Sequence, residues 1–423
     1  MAGYFSKTNF TPSTSNTYTV SFWVKINNFS PTNSDVPYLW SISSSNTSGL
    51  FFQADTLPRN ICFFRSNGST RSVPTNNMRD VNAWYHIHLK VSSGTGTLYY
   101  NGESVKTSIT VDAQNYGGGG AEHYVHTYGG GLSSYDNLDC VMSHFHFVDG
   151  TAYDPTVFGS TDATTGEWKI NTSPSVTYGN NGFFILKDGN SVTDQSGEGN
   201  DFTVAGGTLT NTQDCPSNNF CTINPLSSHS AITLSKGNTQ VDYSTSAENG
   251  KGNLAFSSGK FYWEAKLSAV NSNYPMIGIG SVDEAQMQKP SGGSYPGGFT
   301  NSYGIYGNGN VYANGSNTGS QSFTYTTNDY IGIAVDLDSG TKTIKWFKNG
   351  SQIATYNITT TAPFAPMDYS GSGSDELVYN FGNGAFGTTQ LTGTTYQGSG
   401  NLGIFKYQPP SGYTALCTTG LNE

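Results

Sequence analysis

No segment of this chain holds a 3.6-residue apolar period beyond about ten residues, which leaves helices few and short. What recurs instead is a short run that alternates in polarity, mixes β-branched with aromatic side chains, and stops at Gly, Asn, Asp or Ser. TYTVSFWVKI (17–26), WYHIHLKV (84–91), TLYY (97–100), VMSHFHFV (141–148) and GFFILKD (182–188) come first. KFYWEAKL (260–267), MIGIGSV (276–282), DYIGIAVDL (329–337), TIKWFK (343–348) and ELVYNFG (376–382) follow. Such a series predicts an all-β chain of antiparallel strands.

Two of these runs share a corner. GTLYYNGESV (96–105) and IKWFKNGSQIA (344–354) each read as strand, Asn-Gly, returning strand. Asn-Gly supplies the positive φ angles of a two-residue hairpin turn, so Asn101-Gly102 and Asn349-Gly350 are expected to reverse the chain. Their separation of about 250 residues is explained if two sandwiches of related design need the same device.

At 423 residues the chain exceeds what a single core normally organises. The stretch GGTLTNTQDCPSNNFCTINPLSSHS (206–230) has few apolar runs and two prolines, and it marks the boundary. The expected organisation is two antiparallel β-sandwich (jelly-roll) domains in tandem, at 1–212 and 230–423, with 213–229 as a junction segment.

Charged side chains are 11% of the chain, and the 52 glycines with Ser, Thr and Asn take their place. The surface is therefore expected to be polar and uncharged. With 27 Tyr and 24 Phe the chain is too aromatic for a disordered protein. A net charge of −10 argues against nucleic acid, whose phosphates demand a basic face. No run of 18 apolar residues exists to cross a membrane as a helix. MAGYFSKTNFTPSTSNTYTV lacks the basic start and apolar stretch of a secretory signal. The five Cys (62, 140, 215, 221, 417) form no CxxC pair, and separate thiols are expected, including at Cys215 and Cys221.

GKFYWEAKL, MIGIGSV, YIGIAVDLDSGTKTIKWFKNG, APFAPM and LVYNFGNGAF, in that order, resemble the blocks of a SPRY domain. The resemblance implies a bent two-sheet sandwich whose loops bind partners, with Trp263 and Trp346 in its core. YTVSFWVKI, WYHIHLKVSSGTGTLYYNGESV, VMSHFHFVDGTAYDPTVFG and GFFILKDGNSVTDQSGEGNDF resemble a laminin-G-like, concanavalin A-like jelly roll. Together with TINPLSSHSAITLSKGN and YQPPSGYTALCTTGLNE, the whole chain is similar to structural proteins of tailed bacteriophages, marine ones especially.

Concanavalin-type jelly rolls include glycoside hydrolases, whose chemistry needs two carboxylates at a fixed separation. The Glu-x-Asp-x-x-Glu strand of those hydrolases is missing from the sequence, and the adjacent pairs Asp283-Glu284 and Asp375-Glu376 would point to opposite faces. An enzyme is therefore not expected. Asp194, Ser196, Asn200 and Asp201 could offer oxygens to Ca²⁺, but these residue types also build ordinary turns, the reading preferred here. No cofactor is expected.

Six of the seven His lie between 86 and 146, and His86/His88 and His144/His146 are His-x-His pairs on expected strands. The spacing suits Zn²⁺ or Fe²⁺, yet the more apolar alternate set Tyr85, Ile87, Leu89 and Val91 would turn His86 and His88 outward to solvent or an interface. YGGGGAEHYVHTYGGG (116–131) reads as a flexible or extended loop, suited to a contact with another subunit. KPSGGSYPGGFTNSYGIYGNGNVYANGSNTG (289–319) reads as a similar tract, whose Tyr295, Tyr303, Tyr306 and Tyr312 could stack on sugar rings.

The expectation is a non-enzymatic phage virion surface protein: a fibre, spike or capsid-decorating appendage at the virion surface, released by host lysis. It would be a homo-oligomer that contacts other virion proteins and attaches through many weak contacts to host surface glycans. A purely architectural virion protein is the alternative, and a glycan-degrading enzyme the second.

Overall fold

The computed structural model describes the chain apart from residues 1–2, 28–36, 44–46, 54–59, 66–69, 77, 81, 117–120, 130–137, 188–190, 272–274, 289–293, 362 and 423. It divides into two compact units, Met1–Leu209 and Thr210–Glu423. Each is an antiparallel β-sandwich.

In the first unit one sheet runs, in spatial order, Thr203–Gly206, Tyr4–Lys7, Glu122–Val125, Tyr38–Ser43, Thr47–Gln53, Asn60–Arg65 and Thr70–Ser72. The facing sheet runs Glu103–Thr110, Thr95–Tyr100, Trp84–Ser92, Tyr18–Ile26, Cys140–Asp149 and Phe183–Ile185. Strands distant in sequence lie side by side, as a jelly roll requires. Alternate residues of one central strand, Tyr18, Val20, Phe22, Val24 and Ile26, point into the core with Trp40, Phe52, Phe63 and Phe147.

The second unit repeats the plan. Its larger sheet runs Thr233–Ser235, Gln240–Asp242, Glu376–Asn380, Lys260–Ala269, Tyr330–Asp336, Thr343–Lys348 and Ser351–Asn357. Thr414–Ala415 adds in parallel beside Phe261 and Tyr262. The other sheet runs Glu248–Lys251, Phe364–Ser370, Met276–Ser281, Ser302–Tyr306, Asn310–Ala313 and Ser316–Ser320. Trp263 and Trp346 are fully buried between the sheets, as expected from the sequence.

Both Asn-Gly corners are hairpin turns with positive φ at each residue: 47° and 82° at Asn101-Gly102, 49° and 85° at Asn349-Gly350. In both, the asparagine also ties the turn to the next strand. The Asn101 carboxamide oxygen accepts from His86 N at 2.7 Å, and that of Asn349 from Tyr330 N at 2.9 Å.

The expected junction segment 213–229 falls within the second unit. Phe220, Cys221 and Ile223 are buried in the second unit, and Phe220 bridges to Cys417 and Ile223 to Gly252. All five cysteines are free thiols. The two glycine-rich tracts also differ from the expectation of loops. Within 116–131, Glu122–Val125 is an interior strand of the first sheet, while 117–120 and 130–131 lie outside the described residues. Within 289–319, three strands form a meander (Ser302–Tyr306, Asn310–Ala313, Ser316–Ser320), and 289–293 lie outside the described residues.

Candidate functional site

The meander decides where the four singled-out tyrosines go, because neighbours along a strand face opposite ways. Tyr303 and Ile305 point inward and are fully buried. Tyr303 packs on Tyr356 and Phe364, with ring centroids 5.9 and 6.0 Å away. Tyr303 therefore belongs to the core and cannot stack on an external ligand, contrary to the expectation.

Tyr306 and Tyr312 lie on the outer face, Tyr312 reaching it opposite Gly304. Both are partly exposed. The cross-strand register sets a row on that face: Asn249 opposite Tyr369, Tyr369 opposite Met276, and Met276 opposite Tyr306. Tyr295 comes from the segment that crosses this face. Its ring meets Tyr312 edge-on at 5.8 Å and Tyr369 at 5.6 Å. Burial first, then the neighbouring Tyr295 and Tyr306, raises the Tyr369 hydroxyl above its ordinary pKa.

Glycine makes this approach possible. A Cβ on Gly304 would stand 2.4 Å from the Pro296 carbonyl oxygen, so the segment rests directly on the strand backbone. Gly297, at φ +87°, turns the chain where a Cβ would meet Tyr312 backbone at 2.4 Å. The result brings Tyr295, Tyr306 and Tyr312 together with Tyr369, which sequence reasoning missed. Only the pairing of Tyr369 with Met276 places it there, and that pairing joins strands about 90 residues apart. The patch offers aromatic ring faces and phenol hydroxyls, groups suited to stacking and hydrogen bonding with a neutral ligand.

The other candidates are structural. Asp194 holds a turn: its carboxylate accepts from Phe184 N, Ser196 N and Oγ, and Asn200 N, at 2.7–2.9 Å. Asp201 accepts from Asp194 N, and the Asn200 amide donates to the carbonyls of Asn180 and Gly182. Among the described residues, no group of three or more His, Cys, Asp or Glu is placed to hold a metal.

His86 and His88 face away from the core, as read, but are not solvated: both are 0% exposed. A strap comprising the turn at Pro155–Val157, the hairpin Gly159–Thr161/Trp168–Ile170 and Tyr178 covers them, with Phe158 and Phe184. His144 and His146 are buried as well. His123 sits in the sandwich core, accepting from Trp40 Nε1 at 3.2 Å, and burial lowers its pKa to about 3. His126 lies between the Gly3 and Leu138 carbonyl oxygens.

Of the acidic pairs, Asp375 is buried and accepts from Ser370 Oγ and Asn271 N, whereas Glu376 is partly exposed. The buried carboxylates are likewise engaged. Glu264 accepts from Lys406 N, Tyr407 N, Asn380 Nδ2 and Tyr262 OH. Asp368 accepts from the Tyr243 and Tyr379 hydroxyls and from Gly250 N.

Residues 2–150 match the family Laminin_G_3, described as the Concanavalin A-like lectin/glucanases superfamily, and residues 260–384 match the SPRY domain. Solved structures similar to this chain include the TRIM65 PSpry domain, at 16% identity and a TM-score of 0.31, covering 38% of this chain and 88% of that one. The SPRY domain of human HERC1 is 18% identical with a TM-score of 0.32, covering 37% and 96%. The native heptameric SAP-like pentraxin from Limulus polyphemus is 17% identical with a TM-score of 0.28, covering 36% and 71%. No curated protein matches the chain. The chain carries, in tandem, a concanavalin A-like domain followed by a SPRY domain.

Proposed function

We propose that this chain is a non-enzymatic attachment protein on the surface of a tailed-phage particle, a fibre, spike or capsid-decorating appendage, that binds neutral host glycans weakly and many at a time. The observation that carries the reading is the tyrosine patch. Tyr295, Tyr306, Tyr312 and Tyr369 are partly exposed on one sheet face, about a cross-strand row in which Tyr369 and Tyr306 alternate with the uncharged Asn249 and Met276. Aromatic faces complement the apolar faces of pyranose rings, and a single such stack contributes about 1 kcal/mol beyond area burial. Affinity then comes from display of many copies on one particle, as a homo-oligomer held by other virion proteins.

The test is binding of the full chain, displayed multivalently on beads, to neutral host polysaccharides. Tyr312→Ala and Tyr306→Ala should each weaken binding about fivefold per site, while Tyr128→Ala, at an exposed tyrosine of the first unit, should not. Lack of binding to any host surface polysaccharide, with gold-labelled antibody still decorating intact particles, would favour the architectural alternative. Release of reducing ends from the polysaccharide would instead favour the glycan-degrading one.

A further inference from the structure

Three imidazoles on the outer face of the first sandwich each hold the strap by a ring nitrogen. His86 Nδ1 accepts from the Trp168 indole at 3.0 Å, His88 Nε2 lies 3.0 Å from the Tyr153 carbonyl oxygen, and His146 Nδ1 lies 2.8 Å from the Tyr178 hydroxyl. We propose that residues 153–178 form an acid-released latch, closed over the sheet by neutral His86, His88 and His146 and opened when these imidazoles gain a second proton.

At His86 and His88 the hydrogen bonds fix where the protons sit, whereas the Tyr178 hydroxyl facing His146 can donate or accept. Because the indole N–H can only donate, His86 Nδ1 is bare, and its proton is on Nε2, which donates to Ser21 Oγ at 2.8 Å. A second proton would have to go on Nδ1, against the indole N–H, and would break that tie. The Tyr153 carbonyl can only accept, so His88 carries its proton on Nε2. His88 Nδ1 is buried with no partner, and a proton there would be an unpaired donor beside a charge. The rings are also close to one another, with His86 and His88 centroids 5.8 Å apart, so two imidazolium charges would repel under one cover.

The surroundings offer little compensation. Trp23 stacks on His86 at 5.1 Å, the Trp168 ring lies near-parallel to His86 with centroids 5.9 Å apart, Phe158 packs against all three rings, and Phe184 stacks on His146 at 3.9 Å. On the strap, Asp154 is nearest to His88 but is already paired with Lys90 at 2.7 Å, and Asp162 with Lys169 at 2.8 Å. On the sheet, His144 adds to the load on His146, and Tyr99 meets His88 edge-on. Asp194 acts on Tyr178, and Lys187 lies over the Phe184 ring. Burial accordingly holds His86 and His146 well below the usual imidazole range and His88 at about 4.

Hydrogen-exchange mass spectrometry of the full chain, from pH 7.5 to 4.5 and corrected for intrinsic rates, tests this. Peptides within 151–180 should lose protection about a hundredfold or more by pH 4.5 and recover it at pH 7.5, while Tyr18–Ile26 stays protected. A strap still protected at pH 4.5 would overturn the latch, and so would simultaneous loss of protection in Tyr18–Ile26, because the whole sandwich would then be melting. His88→Gln keeps a donor for Tyr153, and His86→Asn keeps an acceptor for Trp168, without a titrating ring. Each should move opening to lower pH. An unchanged midpoint in both would sink the assignment, and the wild-type profile decides it alone if neither variant folds.

Discussion

Each sandwich covers the outer face of one sheet with a strap, and the two straps are held by opposite chemistry. In the first unit the sheet contributes neutral imidazoles and the strap answers with Trp168, Tyr153 and Tyr178. In the second, Glu264 reaches out of the central strand and accepts from Lys406 N at 2.9 Å and Tyr407 N at 2.8 Å, beneath a cover that includes Phe405, Tyr413 and Ala415. One strap depends on bases staying unprotonated, the other on an acid accepting backbone donors. Both straps lie outside the stretches that match the two domain families. A recognisable sandwich can thus be finished by whatever polar chemistry its neighbouring segment supplies, provided each buried group finds a partner.

The largest effect should come from breaking the second strap. Glu264→Ala would strand the Lys406 and Tyr407 N–H groups and is expected to cost about 3–5 kcal/mol, read from denaturant unfolding followed by exchange in residues 396–417. Acid should then separate the units in sign. With His88 depressed to about 4, the first unit keeps its full contribution above pH 6.5 and loses on the order of 3 kcal/mol as pH falls to 4. Glu264 is raised from 4.5 to about 6, because burial outweighs its donors. The folded carboxyl thus takes up its proton before the unfolded one. The second unit loses on the order of 2 kcal/mol as pH rises from 4.5 to 6 and regains it on acidification. Domain-resolved melts at pH 4.5 and 6.5 that moved in the same direction would remove this contrast.

Smaller changes probe the shared corner. Gly102→Ala and Gly350→Ala each put a Cβ at positive φ, at a cost of about 1 kcal/mol. The new Cβ would lie 2.5 Å from the Trp168 ring in one case and 2.8 Å from the Tyr407 ring in the other. Gly102→Ala should be the worse, because the Cβ would come closer to its ring and Trp168 is also hydrogen-bonded to His86 and lies against Gly159, and thermal melts would rank them. Asn101→Ala, which removes the acceptor for His86 N, should cost about 1 kcal/mol and serve as the floor of the series.

What the sequence shows plainly is local. Asn-Gly corners, alternating strands and the inward Trp263 and Trp346 are set within a few residues, and each stands as expected. Period-2 alternation even held the answer for Tyr303: in SYGIY it shares a face with Ile305, while Tyr306 shares one with Gly304. The glycines of that stretch read as a loop because nothing local reveals that Gly304 makes room for Pro296. His86 and His88 failed for the converse reason. Their outward direction was legible, but the cover arrives from residues 65 to 82 positions later, a distance that alternation does not reach. Tyr369 was hidden in the same way, behind strand register.

The parallel pairing of Thr414–Ala415 with Phe261 and Tyr262 also sets a clock on synthesis. About 150 residues separate the two partners, so at ordinary translation rates the central strand waits roughly 10–30 s for its cover. Over the second half of that interval, once Ala334 has been made, Tyr262 and Ala334, buried in the finished molecule with Phe405 and Ala415, form a bare apolar strip on a nascent chain. The ribosome-bound second sandwich is therefore the stage at which this protein is most exposed to aggregation and most in need of a chaperone, whereas the first has its strap in hand long before.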